Sequence, residues 1–314
     1  MEGKSVRIVI SGAGGLIGWH AHVRLHAANC AAQFKGETAP FDIVALNHTE
    51  FDNDAVLLAA LQGAQAVLHF AGVNRAPDSE IEAANPAIAT RLADACNSTG
   101  IKPHIVYANS THATSDTPYG RSKRIAGEVL DTVGGEYTDL VLPHIFGEGA
   151  RPFYNNVTAT LIAQIIADET PNINPDGRVQ LLHAGAAAQF SIDAAIERMS
   201  GRFEPAPHPI SVPDLFVTIS GFHKKYLENI YPDLSDPFAR DLFNCYRAAS
   251  HPDSWPRPLD LHTDLRGTLF EAVKGGGGGQ SFLSSTKPFP LTEGRTLFGG
   301  PRGSDNPYSE SSYK

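Results

Sequence analysis

The chain has 314 residues, enough to bury a full hydrophobic core in one large domain or in one domain with a smaller appendage. Its 25 Lys and Arg against 34 Asp and Glu leave a formal charge of −9, and no basic run exceeds two residues, which argues against nucleic acid and anionic membrane as partners. Three widely spaced cysteines, and an N-terminus without the apolar core and cleavage site of a signal peptide, predict a reduced cytoplasmic protein.

The first predicted element is a buried strand followed by a glycine-rich turn and a helix. VRIVI (6–10) is a short run rich in β-branched residues, typical of a strand buried on both faces. Gly12, Gly15 and Gly18 follow in a G-x-x-G-x-x-G pattern, ahead of the helical segment WHAHVRLHAANCAAQF. Glycines at such a turn let backbone N–H groups approach a pyrophosphate at the positive end of a helix. In this context the pattern predicts dinucleotide binding.

Strands and helices alternate through the next segment of the chain. The predicted strands are FDIVALN (41–47), AVLHFAG (66–72) and HIVYANS (104–110), and the predicted helices are AVLLAALQGA (55–64) and IEAANPAIATRLADACNSTG (81–100). Repeated strand–helix units predict an α/β fold with a Rossmann-like, doubly wound parallel sheet. Ligands bind at the carboxyl ends of such strands, so we expect the glycine turn, Asn47-His48, Ala71-Gly72 and Ser110 to converge on one site.

The tip of the second predicted strand bears on the choice of cofactor. It reads Asn47-His48-Thr49 and carries no Asp or Glu, the residue types that bind the ribose 2′-hydroxyl of NAD and repel the 2′-phosphate of NADP. His48 can donate a hydrogen bond to that phosphate, whereas Glu50 lies close enough in sequence to act as the carboxylate. The sequence therefore favours NADP and leaves NAD open.

A tyrosine and a lysine stand four residues apart at the predicted start of a later helix, in TPYGRSK (117–123). Residues at i and i+4 share a helix face, so we expect Lys123 beneath the Tyr119 ring, where its ammonium would lower the phenol pKa from its ordinary value of ~10. Such a phenol can exchange a proton with a carbonyl oxygen, to which Ser110 would give a second hydrogen bond. With a nicotinamide supplying hydride, these residues predict an oxidoreductase site.

GAGGLIG, HFAG, a strand ending in Ser110, and YGRSK together resemble the extended short-chain dehydrogenase/reductases, the NAD(P)-dependent epimerase/dehydratase group. The resemblance covers about residues 5–245. It implies Ser110, Tyr119 and Lys123 as the catalytic residues, and a homodimer formed through the helices at 81–99 and 119–133. With His48 added from the strand tip, the expected cofactor-binding residues are Gly12, Gly15, Leu16, Ile17, Gly18, His48, Phe70, Ala71, Gly72, Tyr119, Lys123 and Pro143.

Three longer stretches are similar to a narrower group, the bifunctional capsular-polysaccharide reductases. They are HFAGVNR (69–75), LPHIFGEGARPFYNNVTAT (142–160) and HTDLRGTLFEAVK (262–274) with its continuation GQSFLSSTKP (279–288). Those enzymes reduce a UDP-linked 4-keto-6-deoxy-N-acetyl-hexosamine with NADPH and carry a cupin domain after the reductase domain. By this resemblance Arg75, Ser110 and Asn155 bind the sugar nucleotide. No histidine follows His262, so we expect neither the cupin metal site nor its activity. His22 and His26 stand one helical turn apart without an evident third ligand, so we expect no other metal site.

The predicted organisation has three parts. Residues 1–250 form the reductase domain, with a substrate lobe mainly at 144–250; residues 251–288 form a linker and the start of a cupin-like segment; residues 289–314 are predicted to be a disordered tail. The predicted function is NADPH-dependent reduction of a nucleotide-linked 4-keto-6-deoxy (N-acetyl) hexose for surface-polysaccharide synthesis.

Two alternatives to the reductase stay open. One is an NAD-dependent sugar-nucleotide 4-epimerase or dehydratase, although Ser110-Thr111-His112 lacks the acidic pair that a dehydratase carries beside its active-site serine. The other is a non-catalytic dinucleotide-sensing regulator. The Tyr119–Lys123 pair disfavours the regulator, because such proteins typically lose this pair.

Overall fold

The computed structural model describes residues 5–253, 256–275 and 279–287. The strands are β1 (Val6–Ser11), β2 (Phe41–Leu46), β3 (Ala66–His69), β4 (His104–Ser110), β5 (Tyr137–Leu142), β6 (His144–Phe146), β7 (Arg178–His183), β8 (Gly201–Phe203), β9 (His208–Ser211), β10 (Ile230–Tyr231), β11 (Leu261–Thr263), β12 (Gly267–Gly275) and β13 (Gln280–Thr286). The helices are α1 (Leu16–Phe34), α2 (His48–Phe51), α3 (Asp54–Leu61), α4 (Asp78–Thr99), α5 (Pro118–Asp131), α6 (Val157–Ile166), α7 (Ala184–Glu197), α8 (Val212–Leu227) and α9 (Pro237–Ser250).

The largest sheet is wholly parallel, with the strand order β2-β1-β3-β4-β5-β8. This confirms the predicted Rossmann-like α/β fold. The strand order reverses between β1 and β3, because the chain builds β2 on one side of β1 and then β3, β4 and β5 on the other. Ligands of doubly wound sheets bind at the carboxyl ends of the strands at such a reversal.

Helices cover both faces of this sheet, as the uninterrupted apolar strands require. Successive side chains of β1 point to opposite faces: Val9 packs with α3, α4 and α5, whereas Ile8 and Ile10 pack with α1 and α7. All three side chains are fully buried. Burying an aliphatic side chain of this size contributes roughly 1.5–3 kcal/mol, so the two helical layers hold the carboxyl ends of the strands in fixed positions.

A second lobe begins directly after β5, where Pro143 leads into β6. It contains a small sheet in the order β6-β7-β9, on which α6, α8 and α9 pack around a core that includes Phe146, Leu161 and Phe243. The helices begin at side-chain caps: the Asp236 carboxylate accepts a hydrogen bond from the Ala239 N–H, 2.8 Å away, at the start of α9. Because it begins where β5 ends, the lobe lies beside the carboxyl end of that strand.

A third sheet follows the lobe. In it β12 pairs antiparallel with β11 and β13 and parallel with β10, which belongs to the lobe. The described part of the predicted linker and cupin-like start at 251–288 thus contains the strands β11, β12 and β13, and its assignment to a cupin stays a prediction. The tail predicted for 289–314 lies outside the described residues. Among the helices described, none is both long and apolar enough to cross a membrane.

Candidate active site

The glycine turn between β1 and α1 is built so closely that side chains would not fit. Gly12 has a φ of +75°, and a Cβ there would lie 2.6 Å from the backbone nitrogen of Ala71. A Cβ on Gly18 would lie 2.2 Å from the Gly12 carbonyl oxygen. The turn thus leaves a bare backbone at the N-terminus of α1, where Leu16 and Ile17 form the first helical residues and unpaired N–H groups can bind a phosphate. This cradle fits the pyrophosphate of a dinucleotide.

The tip of β2 differs from the prediction. Nδ1 of His48 lies 3.0 Å from the Asp52 carboxylate, and the His48 side chain is 93% exposed, so it is held by its own helix rather than by the cofactor cradle. The Glu50 carboxylate accepts a hydrogen bond from the Asn47 N–H at 3.1 Å. Asn47 is the side chain that faces the glycine turn, since a Cβ on Gly14 would lie 2.8 Å from its Oδ1. The i, i+4 spacing of His48 and Asp52 is the sequence signal of this pairing.

The strand predicted at 66–72 is shorter in the structure. It ends at His69, and Phe70, Ala71 and Gly72 form the loop that follows. Phe70 N–H donates to the Ser11 carbonyl oxygen at 3.0 Å, which keeps this loop against the glycine turn. The buried Asn85 of α4 fixes the next residue: its amide exchanges two hydrogen bonds, of 2.8 and 2.9 Å, with the backbone of Val73. Sequence reasoning missed Asn85.

Ser110 and Tyr119 meet at the carboxyl end of β4. Ser110 is the last residue of β4, and Tyr119 is in the first turn of α5, which Thr117 caps by accepting a hydrogen bond from the Gly120 N–H at 3.1 Å. Burial raises the pKa of the Tyr119 phenol above its ordinary value, and a hydrogen bond with the Ser110 side chain opposes this only in part. The prediction of a lowered phenol pKa is therefore wrong for this structure, because desolvation outweighs the contact with Ser110.

Lys123 lies on the same helix but not beneath the Tyr119 ring. Its Nζ donates to the Ala108 carbonyl oxygen at 2.7 Å and lies 4.1 Å from the centroid of the Tyr107 ring, which sequence reasoning did not single out. A Cβ on Gly72 would be 4.0 Å from the same Nζ, so the ammonium lies beside the cofactor loop. Burial lowers the Lys123 pKa to about 7, against a weaker attraction from Asp139.

The residues predicted to bind the substrate tie two loops together. Arg75 donates to the Phe153 carbonyl oxygen at 2.9 Å and lies 5.3 Å from the Tyr154 ring centroid. The Asn155 amide donates to the Asn74 carbonyl oxygen at 3.0 Å. These contacts join the loop after β3 to the loop after β6 at an exposed rim. Pro143 lies in line with the end of β4, because its neighbour Leu142 pairs with Ser110 in the sheet.

Two further features of the site have no clear sequence signal. Ser11 Oγ and His69 Nδ1 form a buried hydrogen bond of 2.6 Å beneath the cofactor loop, and burial, assisted by Lys123, lowers the His69 pKa to about 3. The His112 ring approaches the Tyr119 ring edge-on, with centroids 6.2 Å apart. The site thus places the half-buried Tyr119 phenol and the buried Ser110 hydroxyl beside a dinucleotide cradle, an arrangement that can transfer a proton to a carbonyl oxygen.

Comparison with known proteins gives the family and its relatives. The profile of the NAD dependent epimerase/dehydratase family matches residues 8–198. The UDP-2-acetamido-2,6-beta-L-arabino-hexul-4-ose reductase of Pseudomonas aeruginosa is 26% identical over 293 residues, which cover 90% of this chain and 75% of the relative.

Solved structures show the same fold in proteins of different names. The capsular polysaccharide assembling protein CapF of Staphylococcus aureus superposes with a TM-score of 0.72 at 26% identity, covering 90% of this chain and 76% of CapF. The UDP-N-acetylglucosamine 4-epimerase of Bacillus cereus superposes with a TM-score of 0.61 at 20% identity, covering 80% of this chain and 99% of the epimerase. The fold is therefore shared with an epimerase and does not by itself select the reaction.

Proposed function

The chain belongs to the NAD dependent epimerase/dehydratase family, and from that premise we propose that it reduces a nucleotide-linked 4-keto-6-deoxy (N-acetyl) hexose with NADPH, as a step in surface-polysaccharide precursor synthesis. Family membership confirms the predicted resemblance and makes the chain an NAD(P)-dependent enzyme of the short-chain dehydrogenase/reductase type. The observation that carries the proposal is the placement of the half-buried Tyr119 phenol near the buried Ser110 hydroxyl, beside the dinucleotide cradle. The 26%-identical relative, a UDP-linked hexulose reductase by name, supports the substrate class.

In the proposed reaction Tyr119 donates its phenolic proton to the keto oxygen of the substrate. Its raised pKa keeps the phenol protonated at neutral pH, which is the state that reduction requires. The Ser110 hydroxyl donates a second hydrogen bond to the same oxygen and so orients it. A nicotinamide dinucleotide held at the glycine turn would supply the hydride that reduces the carbonyl carbon. Lys123 holds the cofactor ribose and, when protonated, stabilises the phenolate that remains.

The preference for NADPH over NADH belongs to the proposal. Glu50 is the acidic residue nearest the β2 tip in sequence, and its carboxylate accepts a hydrogen bond from the Asn47 N–H rather than extending over the glycine turn. The side chain that faces the turn is the neutral Asn47. A neutral residue there does not repel a 2′-phosphate, whereas a carboxylate would.

The proposed substrate class rests on the contacts that join the loop after β3 to the loop after β6, and the proposed domain and dimer arrangement rests on the fold. Arg75 and Asn155 hold the rim of the cleft, where the remaining guanidinium donors of Arg75 suit a diphosphate. We include in the proposal a reductase unit at 1–250 with its lobe at 144–250, and a homodimer through α4 and α5, as in the family that the sequence resembles.

The test follows dinucleotide oxidation and product together. Purified protein is mixed with a UDP-linked 4-keto-6-deoxy-N-acetyl-hexosamine and NADPH or NADH, and the sugar is analysed by mass spectrometry. We expect stoichiometric NADPH consumption and a product heavier by two hydrogens. Tyr119→Phe should lower turnover by about 10²–10⁴-fold while leaving NADPH binding intact, since it removes only the proton donor.

A matched control is Tyr137→Phe, which deletes a buried hydroxyl that has no hydrogen-bond partner in the described structure. It should retain full turnover. Interconversion of 4-epimers without net NADPH consumption would replace the reductase by the epimerase. Dinucleotide binding without turnover of any 4-keto sugar, unchanged in Tyr119→Phe, would leave only the sensing regulator.

A further inference from the structure

Four side chains of metal-binding types meet between α1 and the second lobe, apart from the proposed catalytic residues. Glu148 follows β6, His183 ends β7, Cys245 is on α9 and His20 is on α1. Ligand atoms of Glu148, His183 and Cys245 all lie within 4.8 Å of one another. Four separate segments of the chain supply these side chains, so no local sequence spacing announces them.

The distances and the burial suit a small coordination sphere. His183 Nε2 lies 2.9 Å from Glu148 Oε2, and His20 Nε2 lies 3.6 Å from the same oxygen. Zinc bonds of about 2.0–2.3 Å at tetrahedral angles put neighbouring ligand atoms about 3.3–3.6 Å apart. His20 is only 7% exposed and Cys245 5% exposed. Nε2 of His20 also lies 3.2 Å from the Glu148 carbonyl oxygen, so His20 would turn away from that hydrogen bond to become the fourth ligand of a shielded site.

We propose that Glu148, His183 and Cys245 bind one Zn²⁺ ion, with His20 as the fourth ligand. The donor set of two imidazoles, a thiol and a carboxylate suits zinc, whereas Mg²⁺ and Ca²⁺ prefer oxygen ligands throughout. Burial, together with the negative charges of Glu148 and Asp241, raises the pKa of the Cys245 thiol, so the thiol is protonated without metal. Zinc binding replaces that proton, which leaves to solvent as the sulfur–metal bond forms.

Zinc binding would change the position of the proton on the His183 ring. Nδ1 accepts a hydrogen bond from the Gly185 N–H at 3.2 Å, which places the proton on Nε2, where it is donated to Glu148. Coordination through Nε2 moves the proton to Nδ1. That exchange would break the bond from the Gly185 N–H, and the Asp241 carboxylate, 3.9 Å from Nδ1, would move closer to accept the proton, as a carboxylate commonly does behind a zinc-bound histidine.

The ion would join elements that meet at the cofactor cradle. α1 begins at the glycine turn, and the loop that carries Glu148 starts just after Pro143 and β6. A zinc ion shared between α1, this loop, β7 and α9 would hold the lobe against the dinucleotide half. Its measurable effect is on stability and metal content, independently of any substrate.

Cobalt(II) is the probe, because a thiolate ligand gives a charge-transfer absorption band. The protein is purified with chelator, dialysed and titrated with Co²⁺. We expect a thiolate-to-cobalt band that saturates at one equivalent and is displaced by Zn²⁺. The sequence has three cysteines, so Cys245→Ser should abolish the band, and the matched variants Cys96→Ser and Cys30→Ser should keep it.

Metal content and thermal unfolding give independent readouts. Inductively coupled plasma mass spectrometry should find about one zinc ion per chain after reconstitution. Added zinc should raise the Tm of the wild-type chain by at least about 2 °C, and chelator should reverse the rise. If Cys245→Ser does not fold by circular dichroism, His183→Gln serves instead, and it should lose both the stoichiometric zinc and the Tm rise.

Three results would overturn the proposal. One is a saturating titration without a thiolate band. Another is a band that Cys30→Ser abolishes, because the exposed Cys30 Sγ lies 3.5 Å from His26 Nε2 and would then be an adventitious site. The third is a Tm that neither zinc nor chelator changes, which would mean that no metal ion joins these side chains.

Discussion

Replacing Lys123 with methionine should separate the stability of this fold from its chemistry. The lysine is 6% exposed, and its ammonium contacts only the Ala108 carbonyl oxygen and the Tyr107 ring at close range among the described residues. Burial lowers its pKa from 10.5 to about 7, with a weaker opposing attraction from Asp139. Methionine keeps the unbranched chain and removes the charge.

The sign and size of the effect follow from proton linkage. Between pH 7 and 10.5 the unfolded chain keeps a proton that folded Lys123 has released, so the free energy of unfolding rises with pH across that window. The upper limit for one group is about 1.4 kcal/mol per pH unit, and we expect about 1 kcal/mol per unit between pH 7 and 9. Lys123→Met should lose this slope and be at least as stable as wild type at pH 7.

Urea unfolding of the cofactor-free protein at pH 7, 8 and 9 measures the slope directly. Lys35→Met, at an exposed position after α1, is the matched control and should keep the wild-type pH dependence. In the same preparations Lys123→Met should lose NADPH-dependent turnover, because the ribose contact and the phenolate partner are gone. Parallel plots of unfolding free energy against pH for wild type and Lys123→Met would refute the buried-lysine argument.

Three further substitutions test the cradle and its supports. Gly18→Ala should weaken NADPH binding by at least about tenfold in fluorescence titration, because the added Cβ meets the Gly12 carbonyl oxygen, while Gly221→Ala, with open space around it, should not. Asn47→Asp should shift the NADPH-to-NADH affinity ratio about tenfold toward NADH, and an unchanged ratio would place the 2′-phosphate elsewhere. Asn85→Ala should cost roughly 2–4 kcal/mol in urea unfolding, since it leaves two backbone groups of the cofactor loop without partners, and a loss below 1 kcal/mol would contradict that role.

Much of the fold could be predicted because the signals that set it are local. The apolar runs at 6–10, 41–47 and 104–110 can be buried only between two helical layers, and the structure places each in the parallel sheet. The predicted strand 66–72 is too long at its end. Its pairing with β1 and β4 stops at His69, opposite Ser11 and Tyr107. Directly after Ser11, Gly12 turns the backbone out of the sheet, so β1 offers no further partner.

The site was predictable in position but not in electrostatics. The strand end and the i, i+4 spacing place Ser110, Tyr119 and Lys123 in the same region, but these sequence signals do not tell how deeply each side chain is buried. The depth of burial decides the pKa values. Burial raises the pKa of the Tyr119 phenol and lowers that of the Lys123 ammonium, whereas an exposed ion pair would lower the phenol pKa. The partner of His48, by contrast, is local: its side chain pairs with Asp52, four residues further along the chain.

These electrostatics bear on the direction of the proposed reaction. A phenol whose pKa is raised holds its proton at neutral pH and can give it to an alkoxide that forms from a ketone, whereas removing a proton from an alcohol requires the phenolate. Lys123, with a pKa of about 7, cannot hold a full positive charge at neutral pH until anionic groups of a bound dinucleotide approach it. Cofactor binding therefore completes the charge that stabilises the phenolate after proton transfer.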